Sequence, residues 1–402
     1  MSKSKRVPLL LSSTFRHIIL ISLSMLLQLR LRELGASLFL VSILSTVKGG
    51  ISGFSSPFWG SISDSSSKKK LVTLIIFLIP AFLYPIYGIS NIPFTFLIIT
   101  GILAFFDSGF TPISLSLAID YSNGSKRSVS KELSFLNAAG AVGMFLGRII
   151  LSLILLFLTT QYSILFMSIF GFLALTSSFF ITYNDSEKSE GQNLSAKQKL
   201  FSGFSNLNRL KRNGLWSIFV GSFIRFVGVT GTTSVIAVFM TEKIGLTDSF
   251  SMVVASLDPL FMFFSHLFFG RFIYKIGAKN SINIGIVMTV ISILCFAFAQ
   301  SWILVGLGWL LIGLAFGGFW IGVTTYISIN IEKENKGKYM GLLSTTSTFG
   351  SMLGPFLTGI LLSLNNSYVI MFIVMAMINL SGLLIINIFA KSDMEKENEF
   401  RR

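Results

Sequence analysis

The sequence predicts an all-α integral membrane protein whose twelve transmembrane helices form two pseudo-symmetric six-helix bundles. Three observations carry this prediction: the scarcity of charge, the number of long apolar runs, and a weak internal repeat. Of the 402 residues, 52% are hydrophobic and only 12% are charged, and the mean hydropathy is +0.76. Because soluble domains carry about 25% charged residues, most of the surface of this chain must face lipid.

The apolar runs are long enough to cross a membrane as helices, since a spanning helix needs roughly 20 residues. In lipid the backbone must satisfy its own hydrogen bonds, which a helix does. The predicted spans are 8–30, 38–62, 71–89, 94–118, 131–157, 164–183, 214–240, 249–273, 280–299, 303–328, 339–363 and 368–390. We expect the first span to be retained rather than cleaved as a signal peptide, because Arg16 and His17 interrupt its apolar stretch.

A long polar stretch divides the spans into six and six. We therefore predict an N-terminal six-helix half over 1–183 and a cytoplasmic central loop over 184–213. The C-terminal six-helix half follows over 214–390, and a cytoplasmic tail over 391–402.

The distribution of basic residues predicts the orientation of the chain. If the N-terminus is cytoplasmic, most of the 32 Lys and Arg fall on cytoplasmic segments, and the outside loops hold only Arg30, Arg32 and Lys243. Basic residues are retained on the cytoplasmic side of membranes, so we expect a multi-pass cell-membrane protein with both termini in the cytoplasm. The net charge of +15 then reflects topology, and we expect no nucleic-acid interface, which would need a folded basic face.

Several chemistries are disfavoured by what the chain lacks. The single cysteine, Cys295, permits neither an intrachain disulfide nor a Cys/His metal cluster, so no metal and no cofactor are expected. The sequence contains no G-x-x-x-x-G-K-S/T loop for ATP hydrolysis. It also shows no cluster of His, Asp or Glu at a membrane face, and we do not expect an enzyme.

The two halves resemble one another at an offset of about 210 residues. Arg16 falls opposite Arg225, and Gly60 falls opposite Gly270. The glycines that match in spans five and eleven are Gly143 with Gly350 and Gly147 with Gly354. Duplicated halves around a mid-membrane binding site are the architecture of many transporters.

A polar motif occupies the turn between spans two and three, GSISDSSSKKK from Gly60 to Lys70. Gly60 is expected to let helices approach closely, and Asp64 to cap a helix N-terminus and compensate its dipole. Lys68, Lys69 and Lys70 are expected to hold the turn in the cytoplasm.

This motif resembles the G-x-x-x-D-x-x-G-R/K-R/K signature of the major facilitator superfamily, with Ser67 at the usual glycine. Asp120 and Arg127 resemble the family pattern that precedes the glycine-rich fifth span. The resemblance implies an acidic gating loop at Asp64 and two halves that rock around a central site. It also implies a small-molecule substrate and a monomer in the lipid bilayer.

Small residues recur at helical spacing in spans five and eleven. Span five carries Gly140, Gly143 and Gly147. Span eleven carries Gly350, Gly354 and Pro355, which resemble the G-x-x-x-G-P motif that drug antiporters have in their fifth span. Such residues form a smooth face for tight helix crossing, and a packing role is predicted.

Ionisable residues inside the spans are the sharpest functional signal, because each is costly in lipid unless it faces a cavity or a partner. The six candidates for substrate binding or coupling are Arg16, Lys48, Asp107, Arg148, Arg225 and Asp258. We expect Asp258 to pair with Arg225, and Asp107 to exchange a bond to Lys48, Arg16 or Arg148 for a proton. Structural salt bridges inside the bundle are the alternative interpretation.

Four basic against two acidic side chains favour a solute with a negative group. We therefore predict a secondary transporter that moves a small organic anion by alternating access and is coupled to protons. One alternative is a multidrug efflux antiporter for hydrophobic compounds, for which the 41 phenylalanines could line the cavity. Another alternative is a sensor that keeps this architecture without transport.

Overall fold

The computed structural model describes residues 6–65, 69–121, 126–182, 214–331 and 336–390. These residues form helices and connecting turns, with no strand among them. The helices, numbered in chain order, are α1 (Val7–Glu33), α2 (Leu38–Ser65), α3 (Lys69–Ile89), α4 (Pro93–Asp107), α5 (Phe110–Asp120), α6 (Lys126–Ile154), α7 (Thr160–Phe179), α8 (Leu215–Thr233), α9 (Ile236–Val238), α10 (Asp248–Ala255), α11 (Leu257–Ile276), α12 (Ala278–Ala297), α13 (Trp302–Asn330), α14 (Lys336–Asn365) and α15 (Tyr368–Phe389).

Twelve spans long and apolar enough to cross a membrane lie within the described ranges. They coincide with the twelve predicted spans, and their ends differ by a few residues, so the predicted fold class is confirmed. The first helix continues to Glu33. Arg30 and Arg32, expected in an outside loop, instead lie in its last turn, where cations interact favourably with the helix dipole. The predicted central loop 184–213 and tail 391–402 lie outside the described residues.

Two spans that were predicted as continuous helices are interrupted one turn before a proline. The fourth span breaks at Ser108 and Gly109, between α4 and α5, and Pro112 follows. The eighth breaks at Ser256, between α10 and α11, and Pro259 follows. A proline inside a helix lacks an N–H donor, and its ring clashes with the carbonyl four residues earlier.

The seventh span ends as a regular helix earlier than predicted. Helix α8 stops at Thr233, and the short α9 leads into a π-helical turn over Phe239–Lys243. The sequence Gly-Thr-Thr-Ser-Val at 231–235 consists of poor helix formers, which accounts for the stop.

The helices divide into two compact units. The first comprises Met1–Ser37, Val47–Lys197 and Thr247–Ser256. Within it, α1 packs against α6 and α7, α3 packs against α7 and α4, and α10 packs against α6. Its apolar core includes Trp59, Phe77, Phe110 and Leu117.

The second unit comprises Leu38–Thr46, Gln198–Leu246 and Leu257–Arg402. Within it, α8 packs against α14 and α15, and α12 packs against α13 and α15. These pairings repeat those of the first unit, because α8, α12, α14 and α15 stand where α1, α3, α6 and α7 stand there. The internal repeat seen in the sequence is therefore also a repeat of helix packing.

Candidate functional site

Glycines of α6 and α14 lie at close helix crossings in the two units, where α6 packs against α1 and α14 packs against α8. In the first, a Cβ added to Gly147 would lie 2.6 Å from the backbone oxygen of Ile18. In the second, a Cβ added to Gly354 would lie closer than 3.0 Å to the backbone oxygen of Val227. Real Cβ atoms essentially never approach another heavy atom so closely, so only glycine permits these crossings.

The same correspondence holds one turn earlier in each helix. Gly143 lies against the backbone of Thr14, and Gly350 lies against the backbone of Phe223. Gly140 faces the ring of His17 at a looser 3.2 Å, while Pro355 is accommodated inside the continuous helix α14.

Asp107 is the last residue of α4, and Arg16 of α1 binds both its side chain and its backbone. Arg16 Nε lies 3.4 Å from Asp107 Oδ1, and Nη2 donates a hydrogen bond of 2.8 Å to the Asp107 carbonyl oxygen. Tyr84 Oη donates to the carboxylate, 3.3 Å from each oxygen. The Arg16 guanidinium also lies over the ring of Phe110, 4.3 Å from its centroid. Both charged side chains are nearly nine-tenths buried, at 12% and 11% exposed.

Side chains from α2 form hydrogen bonds with a backbone carbonyl and a side chain near the interruption of the fourth span. Trp59 Nε1 donates to the Phe105 oxygen at 2.6 Å. Ser55 Oγ and Ser108 Oγ share a hydrogen bond of 2.7 Å. Because a break in a helix exposes polar backbone groups that lipid cannot satisfy, these contacts fix the position of Asp107.

Of the three bases expected to compete for Asp107, Arg16 is the one at ion-pair distance in the described part of the chain. Lys48 of α2 is exposed, and its charge acts on both Asp107 and Arg16. Arg148 lies elsewhere in the same unit. Arg16, Lys48 and Asp107 therefore form one electrostatic group.

Arg148 of α6 is only 3% exposed. It forms a hydrogen bond with the last residue of α10, where the eighth span is interrupted. Its Nη1 donates a hydrogen bond of 2.9 Å to the Ala255 carbonyl oxygen and lies 3.2 Å from Met25 Sδ. Ala255 precedes Pro259 by four residues, so in a regular helix its carbonyl would have no N–H donor at that position. Arg148 supplies that donor.

Arg225 of α8 is a buried charge without a hydrogen-bond partner among the described residues. Its side chain is 1% exposed, and none of its three nitrogens has a hydrogen-bond partner in the described structure. The guanidinium instead lies 4.2 Å from the ring centroid of Phe319, 5.7 Å from that of Phe226 and 6.0 Å from that of Phe316. Cation–π contacts contribute about 0.5–2 kcal/mol each, whereas burying an ion costs several kcal/mol.

Arg225 and Asp258, predicted as a pair, are not joined by a hydrogen bond, because none of the three Arg225 nitrogens has a hydrogen-bond partner in the described structure. Asp258 is the second residue of α11, just after the break at Ser256, and its backbone packs closely on Gly313 of α13. A similar depth along two spans does not bring their side chains together, because depth does not determine which face of its helix a residue occupies.

The structure describes only part of the motif from Gly60 to Lys70 and of the pattern at Asp120 and Arg127. Lys70 is exposed, and a Cβ added to Gly60 would meet only the Pro112 Cβ, at 4.0 Å. Among the described residues, none therefore approaches Gly60 so closely that only glycine would fit there. Lys68 and the side chains of Asp64, Lys69, Asp120 and Arg127 lie outside what the structure describes.

Sequence reasoning missed the aromatic partners of the charges. Tyr84 lies in α3 between two prolines, Pro80 and Pro85, and nothing in its local pattern distinguishes it from packing residues. Phe319 precedes Trp320 in a span rich in glycine and aromatic residues. A search for aromatic side chains on the helices that face each predicted charge could have found Phe319.

Comparisons with known proteins agree with this architecture. The sequence model of the Major Facilitator Superfamily matches residues 9–255 and matches again over residues 218–401. The structure is similar to the crystal structure of a variant of the nucleoside transporter NupG, with a TM-score of 0.83. The two chains are 15% identical, and the alignment covers 96% of this chain and 100% of that one.

Two curated relatives are bacterial. Multidrug resistance protein 2 of Bacillus subtilis (strain 168) is 25% identical over 320 residues, covering 79% of this chain and 78% of that protein. The multi-drug resistance efflux pump PmrA homolog of Lactococcus lactis subsp. lactis (strain IL1403) is 24% identical over 308 residues. That match covers 76% of this chain and 74% of the relative.

Proposed function

The chain belongs to the major facilitator superfamily of membrane transporters, and we propose that it is a proton-coupled secondary carrier of a small organic anion that works by alternating access. The observation that carries this proposal is the pair of Arg16 and Asp107 at the interrupted fourth span. Interrupted membrane helices commonly hold substrates and coupling ions, because they present polar backbone groups at mid-membrane.

The geometry at Asp107 supports a role in proton coupling. Counted at the helical rise of 1.5 Å per residue, Asp107 lies about 20 Å from the cytoplasmic end of its predicted span. This position is far from either membrane face. Its carboxylate accepts from Tyr84 and lies against Arg16 at 3.4 Å. When a proton replaces the Arg16 contact, the guanidinium is released for an anionic solute. Binding of solute and proton would then be linked through one residue.

The charges inside the spans support an anionic substrate. Asp107 neutralises one of the two matched arginines, Arg16, whereas Arg225 has no hydrogen-bonded partner among the described residues. The positive charge of Lys48 also acts on Asp107. A cation is disfavoured near these basic side chains because like charges repel strongly where water is scarce.

For the cellular setting, we propose a monomer in the cell membrane with both termini in the cytoplasm. The support is the bias of Lys and Arg toward one side of the predicted topology. Cysteine-accessibility labelling of positions in the central loop and the tail, in intact and permeabilised cells, tests the orientation. Labelling of the two segments from opposite sides would contradict it.

Multidrug efflux is the second candidate, and the names of the two curated relatives favour it. The exposed phenylalanines of α11, including Phe264 and Phe268, do not distinguish the two candidates, because aromatic side chains are also common on surfaces that face lipid.

A flux panel in proteoliposomes separates the candidates. Carboxylates and phosphate esters are compared with neutral and cationic dyes, each with and without an imposed pH gradient. We expect the gradient to drive accumulation of at least one organic anion and of no cationic dye. Gradient-driven movement of dyes alone would support multidrug efflux and contradict the anion carrier, and no flux of any compound would contradict both.

A further inference from the structure

The aromatic surroundings of Arg225 indicate what kind of anion the second unit binds. We propose that Arg225 binds the carboxylate of an aromatic solute, whose flat ring lies against Phe226, Phe316 and Trp320. The inference rests on the proposed function, and it specifies the substrate class of that carrier.

The Nε, Nη1 and Nη2 atoms of the Arg225 guanidinium have no acceptor among the described residues, although the side chain is almost fully buried. A buried cation is tolerated when a counter-charge and hydrogen bonds compensate its loss of water. The planar guanidinium matches a carboxylate with two parallel hydrogen bonds, so a bound carboxylate would supply both.

The matched arginines of the two units differ in what lies beside the guanidinium. Arg16 lies over Phe110 at 4.3 Å and has the carboxylate of Asp107 beside it. Arg225 lies over Phe319 at 4.2 Å without a carboxylate at ion-pair distance in the described ranges. The ring contact is thus common to both units, whereas the protein supplies the carboxylate in only one of them. In the second unit the ligand supplies it.

The aromatic rings near Arg225 differ in how deeply they are buried. Phe319 is fully buried and forms a fixed wall, whereas Phe226, Phe316 and Trp320 are only partly buried. The planes of Phe316 and Trp320 are parallel within 10°, with centroids 6.0 Å apart. Phe226 meets Trp320 edge to face at 6.4 Å. Partly buried aromatic side chains favour stacking of another flat ring, and the position of Phe226 and Phe316 beside Arg225 favours a ring that bears an acidic group.

Ligand-induced thermal shifts of the purified full-length protein test the proposal. The probes are benzoate and naphthoate, the non-planar cyclohexanecarboxylate, and the uncharged benzamide. We expect both aromatic carboxylates to raise the melting temperature, with an apparent Kd about tenfold lower than that of cyclohexanecarboxylate. Benzamide is expected to give no shift. Equal shifts from benzamide and benzoate would overturn the role of Arg225.

Two variants separate a binding role from a structural one. Arg225→Met should abolish the shift while leaving the free protein at least as thermostable as the wild type, because it removes a buried charge that lacks hydrogen bonds. Phe316→Leu should keep carboxylate binding but reduce the preference for aromatic over cyclohexane rings. If Arg225→Met binds benzoate as the wild type does, or if Phe316→Leu leaves the preference unchanged, the proposal is wrong.

Flux measurements on the same variants distinguish this inference from the proposed function. If the wild type carries anions and Arg225→Met does so with an unchanged KM, the binding role is refuted and the anion carrier stands. If the wild type carries no anion and moves only dyes, the proposed function fails and this inference fails with it.

Discussion

A single methyl group at Gly147 is expected to destabilise the first unit. The Cβ of Gly147→Ala would lie 2.6 Å from the Ile18 oxygen and 2.7 Å from Ile21 Cγ2. Ordinary contacts of this kind begin at 3.4 Å, so α1 and α6 would have to separate by about 0.8 Å at this crossing, where overpacking costs about 1–3 kcal/mol.

The separation would also strain an interhelical hydrogen bond. Ser22 Oγ donates to the Gly147 carbonyl oxygen at 2.9 Å, and such bonds between membrane helices contribute about 0.6 kcal/mol on average. Replacing a helical glycine by alanine gains about 1 kcal/mol of helix propensity. The expected net loss is therefore roughly 0.5–2.5 kcal/mol.

The assay is thermal unfolding in detergent, followed by size-exclusion chromatography of a fluorescent fusion. The matched control is Gly341→Ala, because an added Cβ at Gly341 meets nothing within 4 Å. Gly140→Ala is an intermediate case, since its Cβ would meet the His17 ring at 3.2 Å. We expect melting temperatures in the order Gly341→Ala, Gly140→Ala, Gly147→Ala, from highest to lowest. A Gly147→Ala protein as stable as Gly341→Ala would refute the close crossing of α1 and α6.

Three other substitutions test the contacts that hold the charged groups. Arg148→Met should lower thermal stability by about 1–3 kcal/mol because the Ala255 carbonyl loses its donor. The loss should shrink in a Pro259→Ala background, where the new backbone N–H can reach that carbonyl; an equal loss in both backgrounds would contradict the link. Trp59→Phe should cost about 1 kcal/mol by removing the bond to Phe105, and unchanged thermal unfolding would count against that bond. Arg30→Gln should be destabilising, because Arg30 donates to Asn91 at 2.8 Å and Gln161 at 3.3 Å; a melting temperature equal to that of the wild type would contradict this.

The fold was predictable from the sequence because its causes are local and repeated. Each span needs only a long apolar run, and the run from 302 to 330 shows this without any tertiary information. The glycine matches were also readable, since Gly147 and Gly354 recur at the offset that relates Arg16 to Arg225. A close helix crossing can be recognised in the sequence because only glycine fits at the point of contact.

The interruptions were not predictable from proline alone. Pro57, Pro80, Pro85 and Pro355 lie inside continuous helices, whereas the helices break one turn before Pro112 and Pro259. The difference depends on what receives the exposed carbonyls. Arg148 binds that of Ala255, and this side chain comes from a helix distant in sequence.

The sequence identified the charged residues of the candidate site individually, but it did not predict which side chains contact each other. The sequence singled out Arg16, Asp107 and Arg225, yet depth along a span does not say which face of its helix a residue occupies. Arg16 reaches Asp107 because α4 ends there and leaves its carbonyl available. Arg225 lies instead against Phe316 and Phe319 of α13 and beside Phe226 of its own helix.

Solute accumulation by Asp107→Asn in proteoliposomes tests the proposed coupling most directly. Asparagine mimics the protonated acid, and Arg16 keeps its bond to the backbone carbonyl of position 107, so the variant is expected to fold. The matched control is Glu132→Gln, since Glu132 also pairs with an arginine, Arg6, at 3.1 Å. With an anion that the flux panel identifies, Asp107→Asn should exchange solute but reach only equal concentrations under a pH gradient, while Glu132→Gln accumulates it. Gradient-driven accumulation by Asp107→Asn at the wild-type level would contradict the account.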